Sequence, residues 1–239
     1  MHRSDFLNSL WTVAAAVPLR MTVAATPSAV AGVRVPDTAL AREARDVAFS
    51  SEPVEIYNHS LRTFFFAELI AQSRRVDHDV EAVYVASILH DTGLSPKYMS
   101  EHNRFEIDGA NVARDVVTRH GVTGARAEAI WDAICFHDSS IAQWKGDIPK
   151  LVSDGVGADF GSFLDTLPRD AIVAVLQAAP RTNFVPVFLN AVAEIGRRKP
   201  SATGKCFVTD VAYRMVPNFS LPNFCDEVKE DPFAAYHLS

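Results

Sequence analysis

The sequence predicts an all-α fold, and three observations carry that expectation. Apolar residues recur at helical spacing in one segment after another, and several of these segments open on a residue that caps helices. No sustained alternation of apolar and polar residues occurs, and no Asn-Gly pair marks a hairpin. No repeat, low-complexity tract or linker divides the 239 residues, so one helical bundle with a single core is the simplest organisation.

Val35-Pro36-Asp37-Thr38 reads as a helix entry with Asp37 or Thr38 as N-cap, followed by helical period from Ala39 to Phe49. Pro53 opens a second helix over Val54 to Ser73, rich in apolar residues that include Phe64, Phe65 and Phe66. Asp79 can cap a third, in which Val83, Ala86, Ser87 and His90 share a face. Ser95 to Asn103 reads as a loop, and Asp108 to His120 as a helix stopped by Gly121. Thr123 can cap a helix that runs through Trp131 to His137. Asp147 to Ala158, Pro168 to Ala179 and Asn183 to Arg198 complete the series. From Pro200 onward, with prolines at 217, 222 and 232, the chain reads as an irregular tail with short helical turns that wraps over the bundle and completes one domain of residues 35–239.

Composition removes several functions. The net charge is -6 and no Lys/Arg cluster appears, which argues against a nucleic-acid-binding face. Arg197-Arg198-Lys199 suits a helix C-terminus, where cations complement the dipole. There is no Gly-rich phosphate loop. Three cysteines, Cys135, Cys206 and Cys225, form no Cys-x-x-Cys pair and read as free thiols of a reducing compartment, so a cytoplasmic protein is expected. Residues 1–34 form a leader that is poorly ordered, surface-packed or weakly signal-like. Its apolar stretch from Leu10 to Leu19 is short for export and too short to span a membrane.

Ile88-Leu89-His90-Asp91-Thr92-Gly93 is the stretch that carries chemistry. Adjacent residues on a helix point about 100° apart, so His90 and Asp91 can reach one ion only where the helix ends, and Gly93 ends it. Imidazole nitrogen beside carboxylate oxygen suits zinc, manganese or iron. His59, His137 and Asp154 each occupy a core-facing position of another helical segment, where an ionisable group is costly unless paired, hydrogen-bonded or metal-bound. Singly, His59 and His137 also fit histidines bonded to a carbonyl, and Asp154 fits a cap. Together they fit one shared ion.

The order His59, His90-Asp91, Asp154 resembles the H…HD…D signature of the HD-domain metal hydrolase superfamily. Tyr57-Asn58-His59-Ser60-Leu61-Arg62, Leu89-His90-Asp91-Thr92-Gly93, Arg104-Phe105-Glu106-Ile107-Asp108-Gly109-Ala110 and Pro222-Asn223-Phe224-Cys225-Asp226 are similar to the HD-type cyanamide hydratase branch. The likeness runs from about Val35 to Phe233. It implies an all-α HD domain holding one divalent metal, zinc ahead of iron or manganese, on His59, His90, Asp91 and Asp154. His137 falls where HD proteins often carry a further site histidine, as ligand or substrate contact. HD proteins are often oligomeric, so the likeness also allows a homo-oligomer.

The activity implied is a lyase or hydratase that adds a metal-activated water to a small nitrile-like substrate, as in conversion of cyanamide to urea. Asp91 or His137 is the proton shuttle, and Asn58, Arg62, Phe66 and His137 are candidate substrate contacts. Arg62 could instead pair with a helix carboxylate. The same ligands would serve an HD-type phosphohydrolase acting on a nucleotide or phosphate ester, and a non-catalytic HD sensor module is the third reading. Many HD phosphohydrolases have a lysine two residues after the H-D-x of H-D-x-G-K; Leu94 stands there, and the nearest cation is Lys97. A small-molecule substrate without polyanionic charge is therefore expected, with no nucleic-acid or membrane partner.

Overall fold

The computed structural model describes residues 27–204 and 206–223; Cys225, the Phe224–Asp226 part of the fourth motif and most of the leader lie outside them. The fold is all-α, with nine α-helices and one two-stranded sheet among the described residues. The helices are α1 (Ala39–Ser51), α2 (Val54–Arg74), α3 (Val80–Leu89), α4 (Phe105–Arg119), α5 (Gly124–Cys135), α6 (Asp147–Asp159), α7 (Arg169–Ala178), α8 (Phe184–Arg198) and α9 (Phe207–Met215).

Local chemistry sets most of the helix starts. Thr38 accepts from the Ala41 amide at 3.0 Å and begins α1, and Asp79 does the same for α3 through Ala82. Pro53 stands at the head of α2 with φ -55°, already close to helical geometry. α2 then runs through the middle of the bundle, packed against α3, α6, α7 and α8. Nearly every residue from Ile56 to Ala71 is buried, as expected of a helix surrounded on all sides. Phe64, Phe65 and Phe66 are all core residues, each contributing roughly 1.5–3 kcal/mol by burial. Gly155 lets α6 approach closely, because a Cβ there would strike the Thr63 carbonyl of α2.

Four expectations are revised. The leader contributes an ordered hairpin, β1 (Ala29–Val30) paired antiparallel with β2 (Val33–Arg34) across Ala31-Gly32, with Val30 and Val33 buried in the main core. α4 begins at Phe105 rather than Asp108, because the Asp108 carboxylate is used to tie down the preceding loop. It accepts from the Ser100 amide at 2.9 Å, from Asn103 at 3.3 Å and from Lys199 Nζ at 2.6 Å. α5 stops at Cys135, so His137 lies in the turn beyond it. The tail also contains more helix than expected, since α9 packs on α8 and completes a second core of Ile56, Leu94, Phe105, Phe188, Ile195 and Val208.

Candidate metal centre

α3 ends at Leu89, His90 caps it, and Asp91 takes φ -97° and ψ 1° to begin a 3-10 turn at Thr92–Leu94. The change of direction lets adjacent side chains converge, as the dipeptide requires. The turn is seated on α4, where a Cβ at Gly93 would collide with the Phe105 carbonyl. Only glycine permits that approach.

His59, on α2, meets this pair. Its Nε2 lies 3.3 Å from His90 Nε2 and 3.7 Å from Asp91 Oδ2, while His90 Nε2 lies 3.3 Å from the same oxygen. All three side chains are at most 1% exposed. Asp91 Oδ2 is buried without a hydrogen-bond partner, although both ring nitrogens stand near it. An orphaned carboxylate oxygen facing two imidazole nitrogens is an arrangement that a cation satisfies. One ligand atom from each residue lies within 4.8 Å of the others. The donor set therefore fits a divalent metal.

The remaining nitrogens are spoken for. His90 Nδ1 donates to the Ser87 carbonyl at 2.7 Å, and His137 Nδ1 to the Ile134 carbonyl at 2.7 Å. His59 Nδ1 is 2.7 Å from Asp159 Oδ2. With Nδ1 protonated in each ring, every Nε2 keeps its lone pair, the tautomer a ligand or a base needs. Asp159 is itself clamped. Arg62 donates to both of its oxygens at 2.7 and 2.8 Å, and Arg181 Nη1 is 3.0 Å from Oδ1. Burial would raise the Asp159 pKa, but its bonds to His59 and Arg62 outweigh this and hold the carboxyl below its ordinary range.

His137 stands next to the cluster, its ring centroid 4.8 Å from that of His90. Burial first, and the neighbouring His90 second, push its pKa down to about 4, so the ring is neutral near pH 7. Asp91 is also held below its usual range; burial opposes this, but the His90 charge prevails.

Four expected positions fall elsewhere. Asp154 does not join the cluster: its carboxylate is taken by Arg74 and by Gln143, the latter at 2.9 Å. Asp154 and Asp159 are five residues apart on α6, about 140° around it, so they cannot face one point on α2. Arg62 reaches Asp159 and the Ala179 and Pro180 carbonyls behind His59 rather than the cavity. Asn58 bonds the Pro180 carbonyl at 3.4 Å, and Phe66 is buried in the main core; neither lines the cavity.

Asp159 was the residue that sequence reading passed over. Its signal was present, since a carboxylate in the last turn of a helix opposes the dipole and needs another reason to be there.

A cavity of about 350 Å³ opens over His59, His90, Asp91, His137 and Asp138. Its other walls are apolar: Phe160 just after α6, Phe184 and Phe188 of α8, and Phe207 and Val211 of α9. Among the described residues, no lysine or arginine lines it. Phe184 stacks on His59 with ring centroids 4.9 Å apart. Asp138 is held at 3.2 Å by Arg104, which also binds Glu106 and approaches Cys206 Sγ at 3.5 Å.

This architecture agrees with comparison to known proteins. Residues 56–172 match the HD domain family model. The chain carries an HD domain. Over 191 residues it is 27% identical to cyanamide hydratase DDI2 of Saccharomyces cerevisiae, and equally to cyanamide hydratase DDI3 of that yeast. Each match covers 77% of this chain and 84% of the relative. His59, His90 and Asp91 thus form a candidate divalent-metal site at the floor of an apolar cavity. No helix among the described residues is long and apolar enough to cross a membrane.

Proposed function

We propose that this HD-domain protein is a zinc-dependent hydratase that adds water across the C≡N bond of a small, uncharged nitrile-type substrate, cyanamide being the simplest. The observation that carries the reading is a buried His-His-Asp cluster opening into a cavity that no lysine or arginine among the described residues lines. The likeness to two yeast cyanamide hydratases supports it. Lack of a lysine or arginine in the lining disfavours a phosphate ester, whose charge needs such a partner.

Nε2 of His59, Nε2 of His90 and Oδ2 of Asp91 would hold the cation, with Asp159 and the Ser87 carbonyl keeping both rings in the ligating tautomer. A divalent cation bound there supplies Lewis-acid activation of water and of the nitrile. His137 faces the same cavity as a neutral base. It accepts a proton from the attacking water and returns one to the nitrile nitrogen. Oxygen bonds to the nitrile carbon, both protons of water end on nitrogen, and nothing leaves. The apolar wall keeps bulk water out during this transfer. The free thiols Cys135 and Cys206 suit a cytoplasmic setting.

The test is urea formation from cyanamide by metal-analysed protein beside a His90→Ala variant. Urea from the parent, with urea and bound metal both lost in the variant, is expected. Metal-loaded parent that makes no urea overturns the assignment.

A further inference from the structure

Cyanamide, with three non-hydrogen atoms, occupies little of a cavity of about 350 Å³, a size near the lower end of the roughly 300–1,000 Å³ of sites for drug-sized ligands. The space beyond the His-Asp floor is shaped as well as large. Phe184 lies against His59, Phe188 is 5.3 Å from Phe184, and Phe207 stacks on Phe188 with ring planes 13° apart. An unbroken aromatic surface thus leads from the metal floor to α9. At the rim, Phe160 and Val185 are each 53% exposed, so the entrance is apolar too. Water gains little from such walls, whereas a hydrocarbon group covers them favourably.

Among the described residues the polar lining is confined to the floor, and the arginines packed beside the site are engaged elsewhere. Arg62 and Arg181 bind Asp159, and Arg104 binds Glu106 and Asp138. Beyond the metal floor a ligand therefore meets no charged partner among the described residues, which favours an uncharged, apolar body.

Resting on the hydratase reading, we infer that the substrate is a nitrile-type molecule carrying a hydrocarbon substituent, such as an N-alkyl or N-aryl cyanamide, with the C≡N group on the His-Asp floor and the substituent along Phe188 and Phe207. Water adds to the nitrile carbon, both of its protons finish on the former nitrile nitrogen, and the product is the N-substituted urea.

The experiment compares cyanamide, N-methylcyanamide and N-butylcyanamide on the holoprotein, with ureas quantified chromatographically. Binding of urea and N-butylurea is measured in parallel by calorimetry. Burial of a methylene is worth at most roughly fourfold, so kcat/KM should rise about tenfold or more from methyl to butyl. N-butylurea should bind more tightly than urea by a similar factor. Val185→Asp, at an exposed rim position, should lower the butyl-to-methyl ratio several-fold, and Phe188→Ala should do the same from inside the cavity. Cyanamide turnover with a kcat/KM that is flat or falling with chain length overturns the inference and leaves the hydratase reading standing. No hydration of any of the three, with N-butylurea still bound more tightly, overturns the hydratase reading and supports the apolar-substituent site. Absence of both hydration and preferential binding overturns both.

Discussion

Asp159 Oδ2 lies 2.7 Å from His59 Nδ1, so a carboxylate at the end of α6 decides which nitrogen of a histidine on α2 is available to a metal. Asp159→Asn exchanges a charged acceptor for a neutral amide and weakens that control. Metal affinity should fall about 10–100-fold, as is usual when such a partner is lost. Metal titration of the folded variant checks this, and unchanged affinity would remove Asp159 from the site.

Arg62 is fully buried and donates to both Asp159 oxygens. Arg62→Met leaves that carboxylate with a partly exposed Arg181 as its remaining arginine. Removing one member of a buried pair costs roughly 3–5 kcal/mol, which Arg181 should reduce toward the lower figure. Denaturant unfolding of parent and variant measures it; a difference near zero would mean that Arg181 alone suffices.

His137→Ala should retain bound metal while losing about 10²–10⁴-fold in turnover, the usual contribution of a general base. Loss of metal along with activity would instead make His137 a ligand. In the parent, activity should decline as pH drops toward about 4, because protonation removes the lone pair. Stability follows the same sign. The folded-state pKa lies below the ordinary histidine value of 6.5, so below that value the unfolded chain binds the extra proton and stability falls until about pH 4.

Glu52 offers the opposite pH dependence. Both of its carboxyl oxygens are buried without hydrogen-bond partners. Burial, with the Asp91 charge second, raises its pKa well above 4.5. Its favourable contribution is therefore present below the unfolded value and lost as pH rises through the folded one. Glu52→Gln should unfold at a higher temperature than the parent at pH 8, with the gap closing by pH 4.5. Equal midpoints at both pH values would show that Glu52 is solvated.

Gly93→Ala should cost roughly 1–3 kcal/mol through overpacking against the Phe105 carbonyl. Because Asp91 heads the same turn, metal affinity should fall with stability. Normal metal binding in a destabilised variant would show that the turn absorbs the methyl group locally.

What sequence alone determined is what neighbouring residues decide among themselves. Thr38 and Asp79 begin helices through bonds to amides three residues away. His90 and Asp91 converge because the helix ends under them, and Gly93 must be glycine for the turn that follows. The all-α fold and the HD motif were legible for that reason.

Tertiary structure decided which distant groups meet. Asp154 and Asp159 belong to one helix, and only the angle of α6 on α2, set by contact at Gly155, selects Asp159 for His59 and gives Asp154 to Arg74. Arg62 is aimed behind the site by the same packing. The cavity wall joins Phe160, Phe184, Phe188 and Phe207 to histidines far earlier in the chain. Helical period marks such residues as inward-facing, but which of them border a cavity and which fill the core depends on how the helices cross, and that is settled by packing many side chains at once.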